Sequence, residues 1–187
     1  MRRARVPSAL VFALALSGCQ TIVVKSHRDP SAGKLTFDRA LAVVDLSGYE
    51  DSERIRRAGE IELVNSLPEL NLVPSYLHFS LKELAGRGEA KRQAAAEGFD
   101  GLVLLRVKEV RTERGSDRLV AGPDGFTSEE GEDFLDVFVS AAVVSVAEDR
   151  VAWRGVIERR DDKGGKNDVR AIVRAVARQL RTDGLVD

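Results

Sequence analysis

Two long apolar runs in the second half of the chain, Gly101 to about Arg114 and Phe134 to Ala147, constrain its fold more than any other feature. Bounded by turn residues and rich in Val, Leu and Phe, they read as strands. Leu102 to Leu105 is apolar at successive positions, which predicts burial on both faces of a sheet. Beyond it charge alternates with apolar residues, so that half projects one side into solvent. Glu148-Asp149 make a tight turn after the second run, and Val151 to Arg159, which carries Trp153, returns as its hairpin partner.

The first half of the chain alternates instead. Ala40 to Leu46 is a short strand-type run, and Ser47 to Asp51 turn the chain. Ser52 is expected to cap a helix reaching about Leu67, with Ile55, Ala58, Ile61, Val64 and Leu67 inward and Pro68 ending it. Leu70 to Tyr76 reads as a strand that Pro74 keeps short or at an edge. Ser80-Leu81-Lys82-Glu83 has the capping-box pattern. Gly86-Arg87-Gly88 interrupt that helix, which resumes through Ala90, Ala94 and Ala95 and stops at Gly98. Asp161 to Asn167 is a loop. Asp168 to Thr182 is amphipathic, with Val169, Ile172, Val173, Val176, Ala177 and Leu180 inward and Gly184 as its C-cap.

The order is strand, helix, strand, helix, three strands, helix. Early alternation demands a parallel crossover and the late hairpin demands antiparallel neighbours. The expected fold is α/β: a single mixed β-sheet with helices packed against it.

Ahead of this domain stands a different kind of segment. A basic start (Arg2, Arg3, Arg5) precedes an apolar stretch, Ala9 to Leu16, which runs into Ser17-Gly18-Cys19. The stretch from Val6 to Leu16 is too short for a bilayer of about 30 Å and fits a signal-peptide core. The three parts together resemble a bacterial lipoprotein signal peptide with its lipobox. The resemblance implies removal of residues 1–18 by cleavage between Gly18 and Cys19, and a diacylglycerol on the Cys19 sulfur, the lipidated thioether that commonly accompanies palmitate. Gln20 follows; an Asp there resembles the inner-membrane retention signal of enterobacterial lipoproteins, so Gln20 points to the outer membrane. Residues 19–34 are expected to be a lipidated tether with room for an edge strand over Thr21 to Ser26, and residues 35–187 the single domain. About 15 tether residues span roughly 50 Å when extended.

Cys19 is the only cysteine, so lipidation leaves no thiol for a disulfide and the domain must be held by packing alone. Cleavage removes three of the 29 basic residues and no acid, leaving 26 basic against 30 acidic, a formal balance of −4. That balance does not suggest nucleic acid.

Five short segments carry a further likeness: Ala42-Val43-Val44, Arg54 to Glu60, Val73 to Tyr76, Gly98 to Gly101, and Val151-Ala152-Trp153. In that order they are similar to a group of small bacterial envelope lipoproteins of unknown function. The element order also resembles the fold of the Tol-Pal translocation protein's amino-terminal domain, the periplasmic part of the curli secretion lipoprotein, and the lipoproteins that activate penicillin-binding proteins. The likeness implies no catalytic residue and no cofactor.

Reactive groups are few. His27 and His78 are the only histidines, and although Ser75, Ser80 and Glu83 lie near His78, no nucleophile elbow is present. Glu129, Glu130, Glu132 and Asp133 lack the alternation of a calcium loop, and no Cys/His pair has zinc spacing. Lys163-Gly164-Gly165-Lys166 lacks the phosphate-loop spacing. Arg170, Arg174 and Arg178, at i, i+4 spacing, and Arg181 form a basic stripe suited to an anionic partner. The polar stretch Gly115 to Asp133 is expected to be a loop open to recognition.

The expected function is therefore a non-enzymatic module, lipid-anchored at the periplasmic face of the outer membrane and working through contact with an envelope protein. The alternative is a small-molecule or glycan-binding module, or else a hydrolase; a pocket around His78 or Trp153 would favour it.

Overall fold

The computed structural model describes residues 21–46, 51–86, 88–113, 118–122, 125–129, 134–162 and 169–187. The elements run β1 (Thr21–Arg28), β2 (Ala40–Asp45), α1 (Ser52–Ser66), β3 (Leu72–Pro74), α2 (Leu81–Leu84), α3 (Glu89–Ala96), β4 (Gly101–Glu113), β5 (Arg118–Gly122), β6 (Gly125–Glu129), β7 (Phe134–Ser145), β8 (Arg150–Asp162) and α4 (Val169–Thr182). Six strands form one mixed sheet in the order β1-β8-β7-β4-β2-β3, and β5 and β6 pair with each other. β2 is parallel to both β3 and β4, whereas β4, β7, β8 and β1 are antiparallel in turn. The α/β class and the mixed sheet are those the sequence predicts.

The continuous apolar runs follow from two-sided burial. Along β2, Ala40, Ala42 and Val44 enter one core with Val103 and Leu105 of β4 and the inner faces of α1 and α4. Leu41 and Val43 point the other way, into a second core with Leu102, Leu84, Ala90, Ala94 and Phe99 from the α2–α3 side. No residue of β2 has a solvent face, and its one charged residue, Asp45, accepts from Arg106 at 2.6 Å.

α1 keeps most of its expected face: Leu67 is buried, and Ile55, Ala58 and Val64 pack against the core. Ile61 departs from it at 46% exposed, while Arg56, Gly59, Glu60 and Leu63 are buried. The inward face is wider than the apolar period indicates because two buried positions carry charge and a third carries no side chain. Gly59 lets α4 approach: an added Cβ would lie 3.0 Å from Val169 and 3.1 Å from Val44. Ser52 is not the cap either. Asp51 occupies that position with φ 58° and no capping side-chain hydrogen bond, its carboxylate accepting instead from Arg54 at 2.8 Å.

Two further segments differ. β1 pairs with β8 over all eight residues, from Thr21 opposite Arg160 to Arg28 opposite Trp153. Arg28 then donates to the Asp183 carbonyl at 2.6 Å, Ala32 is buried, and the Leu35 amide donates to the Leu185 carbonyl at 2.8 Å. The edge strand expected over Thr21 to Ser26 is present and runs on to Arg28, and the rest of the segment expected as a tether lies along the body as far as Leu35. Within the expected 115–133 loop, β5 and β6 pair antiparallel, from Arg118 opposite Glu129 to Gly122 opposite Gly125.

The remaining expectations hold their places. Ser80 and Glu83 form a reciprocal capping box at α2, and the Ser80 hydrogen bonds, backbone first, hold the Glu83 carboxyl below its ordinary value. β3 is a three-residue edge strand. All six inward residues expected of α4 are buried, and Gly184, at φ 69°, closes it as the Leu185 amide donates to the Leu180 carbonyl at 3.0 Å.

Candidate functional site

Three of the five likeness segments meet at one buried polar knot. Arg56 and Glu60, one helical turn apart on α1, are 1% and 0% exposed. The Arg56 Nε donates to Glu60 Oε1 at 3.0 Å, and that oxygen also accepts from the Ser75 hydroxyl at 2.5 Å and the Val44 amide at 3.2 Å. The Tyr76 amide donates to Glu60 Oε2 at 2.9 Å. A second guanidinium nitrogen donates to Ser75 Oγ at 2.9 Å and the Phe79 carbonyl at 2.8 Å. The knot ties α1 to β2 and to the chain entering α2. Its groups are saturated by one another, which suits a structural clamp better than a reacting centre.

The other two segments also serve packing. Asp100 accepts from the Asp38 and Arg39 amides at 2.8 and 3.0 Å, and the Phe37 ring lies 2.5 Å from where a Cβ on Gly101 would stand. Trp153 is buried, and its indole nitrogen donates to Asp183 Oδ2 at 2.6 Å beyond the end of α4. Burial alone would raise the Asp183 carboxyl, but hydrogen bonds from Trp153, Ser26 and Gln179 and the Arg28 charge outweigh it and hold it below its ordinary value.

Two concave features stand out. One is an aliphatic pocket of about 370 Å³ between the sheet and the starts of α1 and α4, lined by Val44, Leu46 and Ile55, by Leu105, Val107 and Val110, by Val137 and Val139, and by Val169 and Ile172. All ten are apolar, so water entering it finds no hydrogen-bond partner among them. The arrangement favours an apolar occupant and offers nothing to a glycan. The second feature is a more open cleft lined by His27, Asp29, Pro30, Val151, Trp153 and Arg154. The indole forms part of its floor, but its N–H is already bound to Asp183.

The residues singled out from the sequence scatter. His27 is exposed on β1. His78 is exposed and stacks edge-on against Phe99 with centroids 5.5 Å apart. Near it, Ser75 is held in the knot, while Ser80 and Glu83 cap α2. The basic stripe is partly committed within the molecule. Arg174 donates to Glu62 at 2.8 Å, and Arg181 reaches the Ser66 carbonyl at 2.8 Å and Glu69 at 3.1 Å, so both clamp α4 to the α1 side. Arg170 and Arg178 are exposed on the same helix. Gly18, Cys19, Glu130, Glu132, Asp133 and Lys163 to Asn167 lie outside the described residues. Among those described, no three His, Cys, Asp or Glu side chains converge as a metal site, and no helix is long and apolar enough to cross a membrane.

The cavity lining was missed in the sequence. Val107 and Val110 sit in the half of β4 that alternates with charge, and read as an ordinary inward face. The usable signal was length: β4 runs to Glu113, past Asp45 where β2 ends opposite Arg106.

No family profile matches this sequence, and no curated protein matches it. Among solved structures, the chain is similar to the PelC dodecamer from Paraburkholderia phytofirmans, at 11% identity over 89% of this chain and 99% of that one, with a TM-score of 0.46. It is similar to lipoprotein GNA1162 from Neisseria meningitidis, at 14% identity over 77% and 98%, with a TM-score of 0.47. Protein XCC0632 from Xanthomonas campestris aligns at 10% identity over 89% and 91%, with a TM-score of 0.32. At these scores the likeness is one of outline, and no residue's role is carried over from it.

Proposed function

We propose that this chain is a lipid-anchored domain of the bacterial cell envelope, held by Cys19 at the periplasmic face of the outer membrane, and that it works by contact rather than catalysis. The observation that carries the reading is the start of β1. Thr21, two residues after the lipobox cysteine, is already paired with Arg160. Cleavage after Gly18 leaves every strand of the six-stranded sheet whole, and the anchor leads directly into the sheet edge. With so short a lead, about 7 Å when extended, the body sits against the bilayer and meets partners there.

The contact partner is an envelope protein, and no nucleic acid is involved. The exposed cations of α4, Arg170 and Arg178, and the β5–β6 hairpin are the surfaces offered. Fractionation of cells carrying the native chain or Cys19→Ser tests the anchor: the native protein should pellet with outer membranes and the variant should not. Crosslinking in the native host, followed by identification of adducts, tests the contact role. A protein that stays soluble with Cys19 intact overturns the reading.

A second reading, a small-molecule-binding module, is favoured by the cleft beside Trp153, where His27, Asp29 and Arg154 come together. Trp153 fluorescence during titration with candidate metabolites would separate the two readings.

A further inference from the structure

We infer that the aliphatic cavity under α1 and α4 receives an acyl chain of the protein's own Cys19 lipid. The inference rests on the anchoring reading and adds to it a binding site within the folded domain.

Position argues for this occupant. One row of paired residues crosses the sheet from Ile22 through Arg159 and Val137 to Val110. Ile22 packs against the same core as the cavity walls, so it lies on the cavity's face of the sheet. Val137 and Val110 line the cavity two and three strands away from β1. At about 4.8 Å per strand that is roughly 10 and 14 Å. Cys19 precedes Ile22 by three residues, at most about 10 Å of chain. Buried Arg159 stands in the row between β1 and Val137, so the lipid enters at the sheet end rather than through the wall.

Chemistry argues for it as well. The described side chains of the lining are all aliphatic, which suits a straight hydrocarbon chain. The volume of about 370 Å³ lies within the range of about 300–1,000 Å³ for ligand pockets. It is more than twice the roughly 150 Å³ of an apolar cavity that binds benzene. Covalent attachment a few residues away makes binding intramolecular, with an effective concentration in the millimolar range. A free lipid has no such advantage.

The test uses the full chain, expressed in a bacterium fed a diazirine-bearing fatty acid that enters the Cys19 lipid. After irradiation and digestion, peptides spanning Leu105–Val110, Val137–Val139 and Ile172 should be joined to the Cys19 peptide through its lipid. Val110→Trp, at the half-buried mouth, should reduce that product roughly ten-fold, the change that about 1.4 kcal/mol produces. Ile55→Trp, half-buried on the opposite lip, gives an independent block should Val110→Trp fail to fold. Circular dichroism melts check that each variant remains folded. Lipidated Cys19 with no cavity adduct, or cavity adducts carrying a free phospholipid, overturns the inference while leaving the anchor intact. A Cys19 peptide without lipid overturns the anchoring reading instead, and the same spectra report it.

Discussion

Thr21 stands opposite Arg160 at the first rung of the β1–β8 ladder. Two residues after Cys19 the backbone has joined the sheet, so the proposed lipid on Cys19 would hold the folded body without a leash. The end of the sheet where β1 begins is also the end where the aliphatic pocket lies.

The Arg56–Glu60–Ser75 knot should be the most sensitive polar feature of the domain. Glu60→Ala leaves Arg56 buried without its main counterion and should destabilise the fold by about 3–5 kcal/mol. Ser75→Ala removes one hydroxyl from the same knot and should cost about 1–3 kcal/mol. Urea unfolding followed by far-ultraviolet circular dichroism measures both. Near-wild-type midpoints would mean that the knot relaxes around water.

Gly155 lies under the Trp153 ring, and a Cβ there would run into it. The ring is buried and held by Asp183, so it has little freedom to move aside. Gly155→Ala should therefore destabilise by about 1–3 kcal/mol, as overpacking does. A lower melting temperature together with altered Trp153 emission is the expected pair of signals.

Much of this was legible in the sequence, and the gaps have physical causes. The six inward residues of α4 could be read because nothing charged interrupts its apolar face. The buried side of α1 could be read only in part, because Arg56 and Glu60 neutralise one another inside the protein and so imitate a solvent face. The docking of β1 was half visible: Thr21 to Val24 has strand propensity, but the Arg28 hydrogen bond to Asp183 spans 155 residues and leaves no local trace. The knot itself was present only as scattered short segments, since Val44, Glu60 and Ser75 meet through tertiary structure. The cavity depends on strands outrunning their helical cover, which periodicity does not record.

Asp183 predicts a pH dependence. Its carboxyl is held below the ordinary 3.8 in the folded protein. A group with a lowered folded pKa contributes stability that is fully present above its unfolded value and is lost as pH falls through the folded one. The wild-type protein should therefore exceed Asp183→Asn in stability by a constant margin at pH 5 and above. The margin should shrink below about pH 4. Urea midpoints of both proteins across that range test it; a margin that grows on acidification would contradict the assignment.

Arg174 and Arg178 separate clamping from recognition. Arg174→Glu brings like charge to Glu62 across a half-exposed contact and should cost no more than about 1 kcal/mol. With Arg178→Glu added, the domain should stay folded while capture of the proposed envelope partner weakens. Unchanged recovery of crosslinked partners by the double variant would remove α4 from the contact surface.

The central claim is that a lipid on Cys19 fastens this sheet directly to a membrane. Intact-mass measurement of the native protein tests it most directly. The account predicts a chain beginning at residue 19 and carrying a diacylglycerol on sulfur. A mass that retains Met1, or one that shows residue 19 with an unmodified thiol, would contradict it.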